Sequence, residues 1–119
     1  MKVLIVDDSA IIRNSLQSII QKQGYEVLGQ AANGLDALRL FEELEPDLVT
    51  MDITMPEMDG LSCVEAMLGQ RPDAKIVVIS ALASKEVALK AIELGAREFI
   101  KKPYDVDELV ACLNTLKDC

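Results

Sequence analysis

Two stretches, Val3-Leu4-Ile5-Val6 and Ile76-Val77-Val78-Ile79, are unbroken runs of large, mostly β-branched apolar residues. A strand with one wet face alternates apolar and polar residues. A strand without that alternation is buried on both faces, as in a parallel sheet covered by helices. Related short runs at Lys2–Val6, Tyr25–Gln30, Asp47–Met51, Lys75–Ser80 and Glu98–Lys101 predict five strands.

The segments between them carry apolar residues at helical spacing. Ile12, Leu16, Ile19 and Ile20 lead to Gly24, a natural C-terminal stop. Leu38, Phe41 and Leu44 run up to Pro46, which the helix should not enter. Leu61, Val64 and Met67 or Leu68 follow Asp59-Gly60, while Val87, Ala91 and Ile92 lead to Gly95. A capping-box pattern, Asp105 to Glu108, opens a last helix bearing Leu109, Leu113 and Leu116. Strict βα alternation with short connections predicts right-handed crossovers and an α/β fold: a doubly wound five-stranded parallel sheet with five helices. At 119 residues, half of them hydrophobic, the chain has material for one core, so residues 1–119 are expected to form one domain.

Twelve basic against twenty acidic residues give a net charge of −8. That sign repels phosphate backbones and anionic lipid, so neither nucleic acid nor a membrane is an expected partner. Asp7 and Asp8 interrupt the apolar start before a leader could develop, and no apolar run nears the ~20 residues of a membrane span. Three cysteines without metal-site spacing suit a reducing, cytoplasmic setting. Cys63 and Cys112 are expected in or near the core, and Cys119 exposed. Histidine is absent, so chemistry falls to carboxylates, hydroxyls and lysine.

Ligands of open parallel sheets bind beyond the carboxyl ends of the strands. Those ends carry Asp7-Asp8, Asp52, Ser80-Ala81 and Lys102-Pro103. Clustered carboxylates with no nitrogen or sulfur donor form a hard site that suits Mg²⁺ better than zinc. Lys102 can neutralise one oxygen there and Ser80 can donate to another. Any one of the aspartates alone would read as a helix cap; their joint occurrence with the lysine and serine points to a site.

Leu4-Ile-Val-Asp-Asp-Ser9, Met51-Asp-Ile-Thr-Met-Pro-Glu-Met-Asp-Gly60, Val78-Ile-Ser-Ala81 and Lys102-Pro103 resemble, across the whole chain, the receiver domain of bacterial two-component response regulators. The resemblance is strongest to the single-domain chemotaxis type, for which the flavodoxin-like strand order 2-1-3-4-5 is known. It implies that Asp52 is the phosphoacceptor. Mg²⁺ (or Mn²⁺) would be held by Asp8 and Asp52, by Asp7 through water, and by the Thr54 backbone carbonyl. Lys102 would contact the phosphoryl group, Ser80 would move toward it, and Lys101 would point away into solvent. Pro103 would follow a cis peptide bond.

The resemblance further implies a monomeric, phosphorylation-activated switch rather than a turnover enzyme. A sensor histidine kinase would be its phosphodonor, and a flagellar-motor or other output protein would read a face containing Lys85, Ala88, Phe99 and Lys101. A phosphatase is a further expected partner. Three departures stand out. Phe99 replaces the family's tyrosine and is weighed evenly between a switch ring and a core aromatic. Thr54 and Leu82 supply no group to orient a hydrolytic water, which favours a long-lived aspartyl phosphate. A phosphorelay carrier, a phosphate sink, or a receiver module of a longer regulator are alternatives. A haloacid-dehalogenase-type hydrolase is disfavoured, since Thr54 stands where its second aspartate belongs.

Overall fold

The computed structural model describes residues 1–53, 59–81 and 84–117. The elements alternate as β1 (Lys2–Val6), α1 (Ala10–Lys22), β2 (Glu26–Ala31), α2 (Gly34–Leu44), β3 (Leu48–Met51), α3 (Gly60–Gln70), β4 (Lys75–Ser80), α4 (Lys85–Glu93), β5 (Glu98–Lys101) and α5 (Val106–Lys117). All neighbouring strands are parallel, in the order β2-β1-β3-β4-β5. The expected architecture is therefore the observed one.

Two strands differ from expectation at their boundaries. β2 begins at Glu26 because the Tyr25 N–H donates back to the Ile20 carbonyl, finishing α1. It ends at Ala31, which pairs with Val6. Asp47 lies just outside β3, although its N–H still donates to Lys2 and its carbonyl accepts from Lys75.

The sheet separates two apolar layers. Val3, Ile5, Leu48, Val77, Ile79 and Ile100 pack with Leu16 and Ile20 of α1 and with Leu109, Leu113 and Leu116 of α5. Leu4, Val6, Val49, Met51, Ile76 and Val78 pack with Ala37 and Phe41 of α2, Val64 and Met67 of α3, and Ala91 of α4. Each fully buried leucine or isoleucine contributes roughly 1.5–3 kcal/mol, so α1 and α5 are firmly seated. In α4 only Ala91 is buried, and Ile92, expected on its inner face, is 47% exposed. Cys63 is buried in α3 and Cys112 half-buried in α5; burial, reinforced by nearby carboxylates, pushes both thiols up to about 11.

Helix starts are fixed by short polar side chains. Ser9, Asn33, Asp59 and Ser84 each accept a backbone N–H from three residues ahead. At α5 the Asp105 carboxylate accepts from the Asp107 N–H. Gly60 is required by close approach: a Cβ there would lie 2.4 Å from the Asp52 carbonyl oxygen. The start of α3 is thereby pressed against the end of β3.

Within the α1/α5 layer, the Thr50 hydroxyl is fully buried and without a hydrogen-bond partner among the described residues. Its register neighbours, Ile5 and Val77, offer no side-chain acceptor. Thr50→Val keeps the shape and removes the unmet hydroxyl, so it should stabilise the fold by about 1–2 kcal/mol. Urea denaturation checks this; a lower midpoint at unchanged slope would contradict it.

Candidate functional site

Asp7 follows β1 and Asp52 follows β3, the two central strands. Both are almost fully buried, at 2% and 4% exposure, while Asp8 beside them is exposed. One carboxylate oxygen from each of the three lies within 4.8 Å of the others. None of them caps a helix: that task falls to Ser9 for α1 and Asp59 for α3. Burying carboxylates free of capping duty is costly unless something positive answers them.

Lys102 is that positive group. Its Nζ lies 2.7 Å from Asp7 Oδ2 and 3.9 Å from Asp52 Oδ2. The ammonium thus sits against Asp7 first, nearer than to the expected phosphoacceptor. Its backbone N–H donates to the Ser80 carbonyl at 2.9 Å, which ties the end of β5 to the end of β4. The Lys102–Pro103 peptide bond is cis. Lys101 is exposed, as its opposite direction requires.

Asp7 is constrained on every side. Its Oδ1 accepts from the Ser9 N–H, its own N–H donates to Ala31, and its carbonyl accepts from the Arg13 guanidinium at 2.7 Å. The sequence offered no rule that would single out Arg13, since no motif records a helix side chain returning to the preceding strand. Tyr104 lines the apolar groove beside Lys102, with Ile11, Ile12 and Pro103. Burial, and then the Asp7 carboxylate, push its phenol upward.

Ser80 is fully buried at the end of β4. Phe99 is half-buried, stands opposite Val78 in register, and packs on the α2/α3/α4 layer. Lys85 is exposed and Ala88 half-buried on α4. Thr54, Met55 to Met58, Leu82 and Cys119 lie outside the described residues, so the expectations for Thr54, Leu82 and Cys119 stand as sequence readings. The donor set at the rim is oxygen only and compact, which fits a hard divalent cation such as Mg²⁺.

Residues 3–114 match the family model of the response regulator receiver domain. The chain belongs to that family. Chemotaxis protein CheY of Thermotoga maritima is 48% identical to it over 113 residues, covering 95% of this chain and 94% of that protein. Chemotaxis protein CheY of Bacillus subtilis is 41% identical over the same length and similar coverage. Among solved structures, the CheX–CheY complex with BeF₃ and Mg²⁺ from Borrelia burgdorferi superposes with a TM-score of 0.94 at 32% identity, covering 98% of this chain and 88% of that one. The receiver domain is therefore related to phosphorylation-activated switches of two-component signalling in chemotaxis. Among the described residues, no helix is long and apolar enough to cross a membrane.

Replacing Lys102 by Met keeps the stem and removes the ammonium. Without a divalent cation, the buried Asp7 carboxylate would lose its close partner, and unfolding free energy should fall by about 3 kcal/mol. Mg²⁺ should bind the variant more tightly than the parent, because no ammonium competes for the carboxylates, and should recover much of that loss. Urea titrations with and without Mg²⁺ check both; equal losses in the two buffers would rule out a shared site.

Proposed function

We propose that this receiver domain accepts a phosphoryl group on Asp52 from a phosphohistidine of a sensor kinase and signals through the face formed by α4, β5 and α5. The observation that carries this reading is the buried Asp52 carboxylate, grouped with Asp7 and Asp8 and 3.9 Å from the Lys102 ammonium. Phosphoryl transfer needs in-line positioning and charge neutralisation more than covalent help from the protein. An Asp52 carboxylate oxygen attacks phosphorus while the P–N bond breaks and its electron pair leaves with the imidazole. Asp7, Asp8 and Asp52, with the Thr54 carbonyl, are the groups proposed to hold Mg²⁺. When bound, that ion supplies positive charge at the phosphoryl oxygens.

Lys102 is proposed to move from Asp7 toward a phosphoryl oxygen, and Ser80 to donate its hydroxyl to another. A hydrogen bond to that anion stabilises the shifted serine by roughly 1.5–3 kcal/mol. The vacated space would then admit the Phe99 ring, two register positions below Ser80 on the neighbouring strand. The output face is supported by Leu89 and Ile92, apolar residues of α4 that stand 53% and 47% exposed. The Borrelia CheY is found in complex with CheX; a flagellar-motor component is the kind of output partner proposed for this face. A kinase remains the expected donor and a phosphatase a further partner.

Labelling by acetyl phosphate in the presence of Mg²⁺ should place phosphate on Asp52, and Asp52→Asn should abolish it. Ser80→Ala should still be labelled, while its complex with beryllium fluoride should leave the Phe99 ring where it stands in the free protein. Undiminished labelling of Asp52→Asn, read by mass spectrometry, would end the phosphoacceptor assignment. A Phe99 ring that fails to move in the parent would end the switch assignment alone.

A further inference from the structure

The peptide unit between Asp7 and Asp8 lies between two carboxylates of the cluster, and its plane decides where both point. That unit is rigid, so orienting the Asp7 carbonyl also orients the N–Cα bond of Asp8. The sheet does not hold this carbonyl: β1 ends at Val6, and the last ladder-like contact is the Asp7 N–H to Ala31. Arg13, half-buried on the first turns of α1, holds it instead through Nη1 at 2.7 Å.

The guanidinium is itself aimed. Its Nε donates to Gln30 Oε1 at 3.1 Å, and the Gln30 amide donates to Gln17 Oε1 at 2.6 Å and to Asn14 Oδ1 at 3.3 Å. Gln30 stands beside Ile5 at the end of β2. A planar fork bonded at two nitrogens has little freedom left, which a lysine ammonium could not reproduce.

We propose that Arg13, braced by Gln30, is a positioning residue that sets the Asp7–Asp8 peptide plane and thereby the affinity of the acidic cluster for a divalent cation. The inference rests on the proposed metal-assisted phosphorylation, and it runs against simple electrostatics. A cation beside three carboxylates should repel Mg²⁺, so charge alone predicts that Arg13→Ala binds Mg²⁺ more tightly. Positioning predicts the opposite sign.

The test is a calorimetric titration of the full chain with Mg²⁺ alone, with no phosphodonor. Arg13→Ala should weaken binding by about tenfold, the usual scale for losing a group that orients metal ligands. Gln30→Ala, which changes no charge, should weaken it in the same direction by less. Arg13→Lys should fall between the parent and Arg13→Ala. Unchanged or tighter binding by folded Arg13→Ala overturns the proposal. If that variant does not fold, unchanged binding by both Gln30→Ala and Arg13→Lys overturns it equally. A parent whose affinity survives Asp8→Ala would remove the metal site itself, which is a failure of the proposed function rather than of the clamp alone.

Discussion

Three carboxylates kept within 4.8 Å of one another, two of them buried, are the arrangement on which the rest of this rim depends. At that separation each ionised pair repels by about 3 kcal/mol at an effective dielectric of 20. Folding alone would push such groups apart or out into water. Lys102 offsets part of the repulsion from 2.7 Å, and the Ser9 N–H takes a further share at Asp7 Oδ1. The cluster is thus held ready, with an excess of negative charge facing the exposed side where Asp8 lies. For the proposed divalent cation, the cluster would serve as a preformed site and Lys102 would have to yield.

Topology explains why these residues meet. The order β2-β1-β3-β4-β5 puts Asp7 and Asp52 on adjacent central strands and Lys102 at an edge. From β5 to β1 is three strand spacings, roughly 14 Å, which is longer than a lysine side chain. The backbone after β5 must therefore lean over the end of β4, and the Lys102 N–H to the Ser80 carbonyl records that lean. Lys102 cannot approach Asp7 without resting on Ser80. Small residues there, Ser80 and Ala81, leave the path open.

Much of this was legible in the sequence, for identifiable reasons. Unbroken apolar runs forced the parallel sheet, and residues at strand ends then had only one rim on which to gather. Asp7, Asp8, Asp52, Ser80 and Lys102 were placed on that rim by this logic, and the structure brings the three carboxylates and the lysine together there. What stayed hidden depends on side-chain direction. Nothing in Arg13 or Gln30 distinguishes them from solvated helix and strand polars until the fold brings them to the Asp7 carbonyl. The preference of Lys102 for Asp7 over Asp52 is a matter of an ångström, beyond any spacing rule. Ile92 reads as inward by period and is exposed, because α4 is short and buried Ala91, with half-buried Val87, fills its contact with the core.

The parity of the strands places a further demand on any signal leaving this site. Strand side chains alternate between faces. Ile5, Leu48 and Ile100 belong to the α1/α5 layer, so Asp7, Asp52 and Lys102 continue that side of the sheet. Val78 and Phe99 belong to the opposite layer, and Ser80 shares the parity of Val78. In the proposed switch a change at the Asp52 side chain crosses the sheet to reach α4, and Ser80 stands at that crossing: its carbonyl accepts from the Lys102 N–H while its side chain starts on the side of Phe99. Beyond it stands α4, seated by one buried alanine. An element with so little burial is the least costly in the fold to displace, so in the proposed switch a displacement of about the size of one hydroxyl at Ser80 would be spent there rather than in the firmly packed α1 and α5.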